Sequence, residues 1–138
     1  MTNNTCYLFV YGTLRKGFSS PIYKSIVEDI EWMGYSRVKG KLFDIGEYPG
    51  AVPCESENYI VGEIIKIKAP AKVLELLDDY ECCYPGNTKR SEYERKKEWF
   101  ELKDGTRVEA WIYWYNLPVK NRQPIPSNDY LNYLQIKQ

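Results

Sequence analysis

Residues Cys6 to Arg15 read CYLFVYGTLR, and the understanding of that run decides the fold. Six apolar or aromatic residues follow one another without a polar interruption and stop at Gly12. Alternation would indicate a strand with one wet face. A continuous run indicates a strand covered on both faces, in the middle of a sheet. Gly12 to Gly17 then reads as a loop at the end of that sheet.

Outward from this strand, Ser19-Ser20-Pro21 is a helix start signal, followed by a helical pattern through Ile22, Ile26 and Ile30. Met33 to Phe43 reads as extended, Gly46 to Pro53 as turn-rich, and Tyr59 to Ile67 as a second strong strand. Pro70 occupies a helix-start position, and Val73, Leu76, Leu77 and Tyr80 follow at helical spacing on one face. Cys82 to Arg90 reads as a loop. Two extended runs, Tyr93 to Leu102 and Arg107 to Tyr115, are joined at Lys103-Asp104-Gly105, and Asp-Gly between extended runs predicts a hairpin. Trp111 to Tyr115 is bulky on both faces, which predicts an interior strand. Strands with two or three inserted helices make an α+β class with a curled or closed sheet.

The chain has 138 residues, enough for one domain with a real core. No repeat, low-complexity tract or linker interrupts residues 1–138. Its 19 Lys+Arg balance 19 Asp+Glu, so no basic field favours nucleic acid, and 43% hydrophobic with 28% charged residues is the composition of a globular protein. There is no histidine. That removes Ser-His-Asp and Cys-His nucleophile systems, imidazole proton relays and every zinc site needing a His ligand. Proton transfers would fall to carboxylate, Lys, Tyr or Cys. The cysteines, Cys6, Cys54, Cys82 and Cys83, form no C-x-x-C pair, and reduced thiols in a cytoplasmic protein are the expected state. The N-terminal MTNNTCYLFVYGTLRKG has neither a basic leader nor enough apolar length for a signal peptide or membrane span.

Two places could carry chemistry. At Tyr11-Gly12-Thr13-Leu14-Arg15, successive backbone N–H groups at a strand's end can form an anion-binding concavity. Gly12 and Gly17 have the spacing of a phosphate-binding P-loop, but Phe18 stands where that loop needs Lys, so a carboxylate fits better than a triphosphate. The bland alternative is a plain strand-to-helix turn. At Leu77-Asp78-Asp79-Tyr80-Glu81, three carboxylates crowd a helix C-terminus, the end that disfavours negative charge. If Glu81 faces an apolar, tyrosine-lined cavity, burial would raise its pKa and suit it to general acid/base work. Here the alternative is a solvated acidic helix end, and it is the expected state of Asp78 and Asp79. The 13 tyrosines could line such a cavity or simply fill the core.

FVYGTLR (9–15) followed by LDDYE (77–81) resembles the gamma-glutamylcyclotransferase superfamily, and within it the branch containing gamma-glutamylamine cyclotransferase. LFDIGEYP (42–49), VGE (61–63), YER (93–95), AWIY (110–113) and SNDYLNYL (127–134) extend the resemblance over nearly the whole chain. It implies a small mixed β-barrel with flanking helices and one cavity, where a γ-glutamyl compound's α-amino group attacks its own γ-carbonyl. The products would be 5-oxoproline and a free amine or amino acid. The resemblance assigns Glu81 as general acid/base and Tyr11, Gly12, Thr13 and Leu14 as the residues holding the glutamyl end. This sequence departs from the family after the glutamate, where a small residue and a short link are usual. Cys82 takes the first position, and residues 82–92 separate Glu81 from Tyr93.

Such chemistry needs no metal, nucleotide or other cofactor. The expected partner is a small γ-glutamyl substrate, with no nucleic acid and no membrane, and the expected state a monomer or weak homodimer. Tyr93 or Tyr113 could assist. Two other readings stay open: a non-catalytic barrel that binds small carboxylates as sensor or carrier, and a Cys82-dependent acyl transfer or lyase reaction. The second lacks a histidine to activate its thiol.

Overall fold

The structure is a computed structural model in which residues 5–16, 20–83, 86 and 91–137 are described. Seven strands form one curled mixed sheet: β1 (Cys6–Val10), β2 (Ile30–Asp44), β3 (Pro49–Pro53), β4 (Tyr59–Ile67), β5 (Tyr93–Glu101), β6 (Arg107–Tyr115) and β7 (Gln123–Pro124). Helices α1 (Pro21–Ile26), α2 (Pro70–Tyr80) and α3 (Tyr130–Lys137) flank it. The order across the sheet is β3-β2-β4-β1-β6-β5, with β7 paired to β2.

β1 holds the interior position that its unbroken apolar run predicts. It runs antiparallel to β4, with Leu8 opposite Ile65, and parallel to β6, with Leu8 opposite Trp111. Alternate residues serve different cores. Leu8 and Val10 pack with Ile65, Ile67, Val73 and Leu77 under α2, while Phe9 and Tyr11 join Ile64, Phe100, Ile112 and Trp114 inside the curl. Phe9 and Phe100 stack with centroids 4.6 Å apart. Each such fully buried side chain contributes on the order of 1.5–3 kcal/mol.

The curl begins in β2, whose register against β4 shifts between Trp32 and Gly34. Gly34 has φ +144°, a conformation glycine adopts without strain, and the bulge there bends a 15-residue strand around the core. The far edge, β5, returns to the β2–β3 side without joining a ladder. Two side-chain hydrogen bonds tie that seam, from the Ser36 hydroxyl to the Glu101 carbonyl at 2.9 Å and from the Tyr93 hydroxyl to the Pro49 carbonyl at 2.8 Å. Lys96 and Lys97 stand exposed on β5, a common guard against edge-to-edge pairing. The fold is a curled, mixed half-barrel with flanking helices, in line with the α+β class, the curled sheet and the small mixed barrel that the sequence anticipates.

Four expectations change. The turn-rich 46–53 segment is a turn only at its start; Pro49–Pro53 is a strand, with both prolines at its ends on a sheet edge where a missing N–H costs least. The first helix stops at Ile26, continues as a 3-10 turn over Val27–Asp29, and yields Ile30 to β2. On α2, Val73 and Leu77 are buried, whereas Leu76 and Tyr80 are exposed. Asp78 is not solvated, for reasons given below. Gly17 at the end of the first anticipated loop, Phe18, Ser19 of the helix start signal, and residues 84, 85 and 87–90 of the second loop lie outside the described residues. Among those described, no helix is long and apolar enough to cross a membrane.

Candidate active site

A cavity of about 330 Å³ opens where β1 ends. Its lining includes Tyr11, Gly12, Thr13 and Leu14 from the loop after β1 and Glu81 from the end of α2, so all five residues singled out in the sequence meet at one place.

The loop is fixed from behind. The Arg15 guanidinium, 3% exposed, donates from Nε to Glu63 Oε2 at 2.8 Å and from an η nitrogen to Asp129 Oδ1 at 2.9 Å. Glu63, 1% exposed on β4, also accepts from the Lys16 backbone N–H at 2.8 Å and from Trp32 Nε1 at 3.0 Å. This saturated pair locks residues 15 and 16, and the Arg15 N–H closes the turn onto the Gly12 carbonyl at 3.1 Å. The N–H groups of Gly12, Thr13 and Leu14 carry no hydrogen bond to any described residue. They are backbone donors that the described fold does not use, which is the condition an anion-binding concavity needs. A Cβ on Gly12 would lie 2.9 Å from Pro49 Cγ, so the loop approaches the start of β3 as closely as glycine allows.

Glu81 is the C-cap of α2. The Cys83 N–H bonds the Asp78 carbonyl at 2.8 Å and the Cys82 N–H bonds the Asp79 carbonyl at 3.2 Å, with Cys82 at φ +52°. This pattern is a Schellman cap, whose left-handed position usually holds glycine. The cap turns the chain sharply and leaves Glu81 lining the cavity. Its carboxyl has no hydrogen bond or ion pair to any described residue. Burial, and then the charge of Glu92, pushes its pKa up to about 8.

Asp78, one turn earlier, is anchored. It takes a bidentate pair from Arg95, at 2.8 and 3.0 Å, and the Tyr113 hydroxyl donates to its Oδ1 at 2.7 Å. Arg95 in turn lies over the Trp111 ring, 4.2 Å from its centroid. The acidic helix end therefore divides into three fates: Asp78 clamps α2 to β5 and β6, Asp79 is exposed, and Glu81 faces the cavity. Asp78→Ala strands a half-buried guanidinium and a buried phenol. It should cost roughly 2–3 kcal/mol, read as a lower denaturant midpoint at unchanged slope.

The tyrosines are core and lining at once. Tyr11 donates to the Tyr113 carbonyl, Tyr93 to the Pro49 carbonyl and Tyr113 to Asp78. Burial pushes all three phenols well above their ordinary value, and the Glu81 charge adds to each. With their protons already donated, they offer the cavity rings and oxygen lone pairs. The hydroxyl protons of Tyr93 and Tyr113, the two tyrosines expected as possible helpers, are engaged in these bonds.

Glu47, Tyr48 and Glu92 also line the cavity without having been singled out one by one in the sequence, though Glu92 ends the 82–92 segment that departs from the family. The Tyr48 hydroxyl donates to Glu92 Oε2 at 2.6 Å, across the cavity between the segment before β3 and the segment before β5. Nothing in local pattern distinguishes Glu92 from the other charged residues of its neighbourhood. Tyr48 stands within LFDIGEYP, but its partner is 44 residues away. Among the described residues, no His/Cys/Asp/Glu group could hold a metal ion.

With this geometry in place, the relatives can be compared. The model of the family described as gamma-glutamyl cyclotransferase, AIG2-like, matches residues 8–132. A Methanocaldococcus jannaschii protein, provisionally named gamma-glutamylcyclotransferase, is 32% identical over 128 residues, which cover 92% of this chain and 97% of that one. Among solved structures, YkqA of Bacillus subtilis superposes with a TM-score of 0.72 at 26% identity, over 97% of this chain and 42% of that longer one. A mouse AIG2-like protein superposes with a TM-score of 0.63 at 23% identity, over 80% of this chain and 76% of the other, and shows the shared fold.

Proposed function

The chain belongs to the AIG2-like gamma-glutamyl cyclotransferase family, and on that premise we propose that it releases 5-oxoproline from a small γ-glutamyl substrate without a cofactor. In this reading the glutamyl α-carboxylate lies against the N–H groups of Gly12, Thr13 and Leu14. The α-nitrogen faces Glu81 and loses a proton to it. That nitrogen forms a bond to the γ-carbonyl carbon, and the bond from that carbon to the departing nitrogen breaks. Glu81 returns that proton to the departing nitrogen as the bond breaks and then carries the second proton from the ring nitrogen to the released amine, which leaves as an ammonium, so atoms and charge balance with water taking no part.

The observation that carries the proposal is one carboxyl without a partner among the described residues, pushed up to about pKa 8, in the same cavity as three backbone N–H groups that bond no described residue. A carboxyl poised near neutrality can take and give a proton in turn. Intramolecular attack also needs little beyond positioning, since well-oriented groups reach effective concentrations on the order of 10⁵ M or more. The reaction therefore loses nothing from the absence of histidine.

The test is to incubate the protein with γ-glutamyl amines, γ-glutamyl amino acids and glutathione and assay 5-oxoproline. Because Glu81 must shed its own proton before it can accept one, turnover should rise with pH and level off above about 8. Product with a flat profile between pH 6 and 8.5 would remove Glu81 from the role. Tight binding of a γ-glutamyl compound without product would favour a carrier or sensor.

A further inference from the structure

The chain's charges balance overall, yet one face of the sheet is basic. Side chains along β2 alternate between faces. Ser36, Val38, Gly40 and Leu42 turn toward the interior of the curl, while Tyr35, Arg37, Lys39 and Lys41 stand exposed on the outside. Their ladder partners are Glu63, Val61 and Tyr59 on β4 and Val52 on β3. Arg37, Lys39 and Lys41 thus recur at every second residue, about 6.6 Å from one to the next. The acids around this row are committed. Glu63 is buried and bonded to Arg15, the Lys16 N–H and Trp32, and Asp129 pairs with Arg15. Glu57 sits at one end, 3.8 Å from Lys39, and accepts from the Tyr59 hydroxyl at 3.1 Å.

Aromatic rings are interleaved with these cations. Tyr35, 55% exposed, meets Trp32, 39% exposed, edge to face with ring centroids 5.2 Å apart. Trp32 is held in place by its Nε1–H on Glu63 at 3.0 Å, and Lys16 lies 4.8 Å from its centroid. The Arg37 guanidinium lies 4.2 Å from the Tyr59 centroid. None of these side chains lines the cavity, and the cyclisation uses none of them. A linear row of cations beside fixed, exposed rings is how proteins hold single strands, with the backbone on the positive groove and the bases on the rings. A paired duplex has no free base face to stack there, and a carboxylate-rich peptide has no ring to offer.

We propose that the outer face of β2 and β4 binds single-stranded nucleic acid, with phosphates along Arg37, Lys39 and Lys41 and bases stacked on Tyr35 and Trp32. The balance of charge over the whole chain gives no such field; this face supplies it locally. The proposal stands apart from the cyclotransferase reading, and either can fail alone.

Fluorescence anisotropy with a fluorescein-labelled oligouridylate of about 12 nucleotides tests it. The full chain should bind with a Kd of roughly 1–100 µM at physiological salt, the range of sequence-independent binding, and three neutralised phosphates predict a slope of about −2 for log affinity against log salt. Arg37→Glu with Lys39→Glu, both at exposed positions, should weaken binding at least ~10-fold and flatten the slope. Tyr35→Ala should weaken it roughly 5- to 150-fold, the worth of one stacked base, and leave the slope at its parent value. The same titration with oligothymidylate assigns the strand to RNA or DNA by whichever binds tighter, and either result supports the proposal. Absence of binding overturns it, as does an affinity that survives the double variant. Equal affinity for oligoglutamate or for the matching duplex would also overturn it, and so would Tyr35→Ala binding like the parent, since the face would then hold polyanions without touching bases. Binding to phosphatidylserine vesicles but not to either oligonucleotide would give the face to a membrane surface instead.

Discussion

Glu81→Gln yields a folded protein whose turnover falls by roughly 10²–10⁴-fold, the usual contribution of a positioned acid/base. The amide keeps the shape and a hydrogen-bonding capacity, so binding of 5-oxoproline should persist while product formation does not. Stability should move the other way. The native carboxyl titrates near 8 against an ordinary value of 4.5, so the folded state holds a proton that the unfolded chain releases between those limits. The parent therefore loses stability as pH rises from about 4.5 to about 8, and the variant, which does not titrate, should not. Thermal midpoints of parent and variant should coincide near pH 4 and diverge in the variant's favour by pH 8.5. A variant that turns over at the parent rate would displace Glu81 from the chemistry. Coincident midpoints at both pH values would show that its carboxyl is not perturbed.

Removing Glu63 should do the largest structural damage. Glu63→Ala leaves the Arg15 guanidinium buried against Asp129 alone and strips acceptors from the Lys16 N–H and Trp32 Nε1. Breaking a buried pair from one side costs about 3–5 kcal/mol, much of a small domain's margin. The double change Arg15→Met with Glu63→Met removes both charges and should recover a good part of that loss. Chemical denaturation of the two variants and the parent decides it: equal loss in single and double variants would mean the charges were not what mattered. Where the double variant folds, its KM should still rise, since the loop carrying Gly12 to Leu14 has lost its rear anchor.

What could be read from the sequence was what local chemistry writes down. CYLFVY is apolar on both faces because two cores meet at β1, and Asp104-Gly105 lies within the turn between β5, which ends at Glu101, and β6, with Gly105 at φ +90°. Glu81 and the loop from Tyr11 to Leu14 drew notice because each breaks a local rule, a carboxylate at a helix C-terminus and a glycine stopping a buried strand, but local pattern left both open and the family resemblance singled them out. The misses share another cause. β3 exists because an edge tolerates proline, and edges are properties of the assembled sheet. Asp78 looked like Asp79 until β5 and β6 brought Arg95 and Tyr113 to it. Glu92 acquires meaning only when Tyr48 arrives from the other side of the cavity. Asn128, with φ +54°, substitutes for a strand by accepting from the Leu42 N–H and donating to the Gly40 carbonyl, 86 and 88 residues away. No window of sequence contains such pairs.

The seam along β5 gives the cavity a mechanical property. Elsewhere the half-barrel wall is backbone ladder, and widening it would break many bonds at once. Between β5 and the β2–β3 side, side-chain hydrogen bonds take the place of a ladder among the described residues, two of them from Ser36 to Glu101 and from Tyr93 to Pro49, each worth about 1 kcal/mol net. One of them, from Tyr93 to Pro49, joins two residues of the cavity wall. The Tyr48–Glu92 contact bridges the same gap. The wall is thus backbone ladder around most of its circumference and joined through side chains along one line, and that line runs beside the cavity.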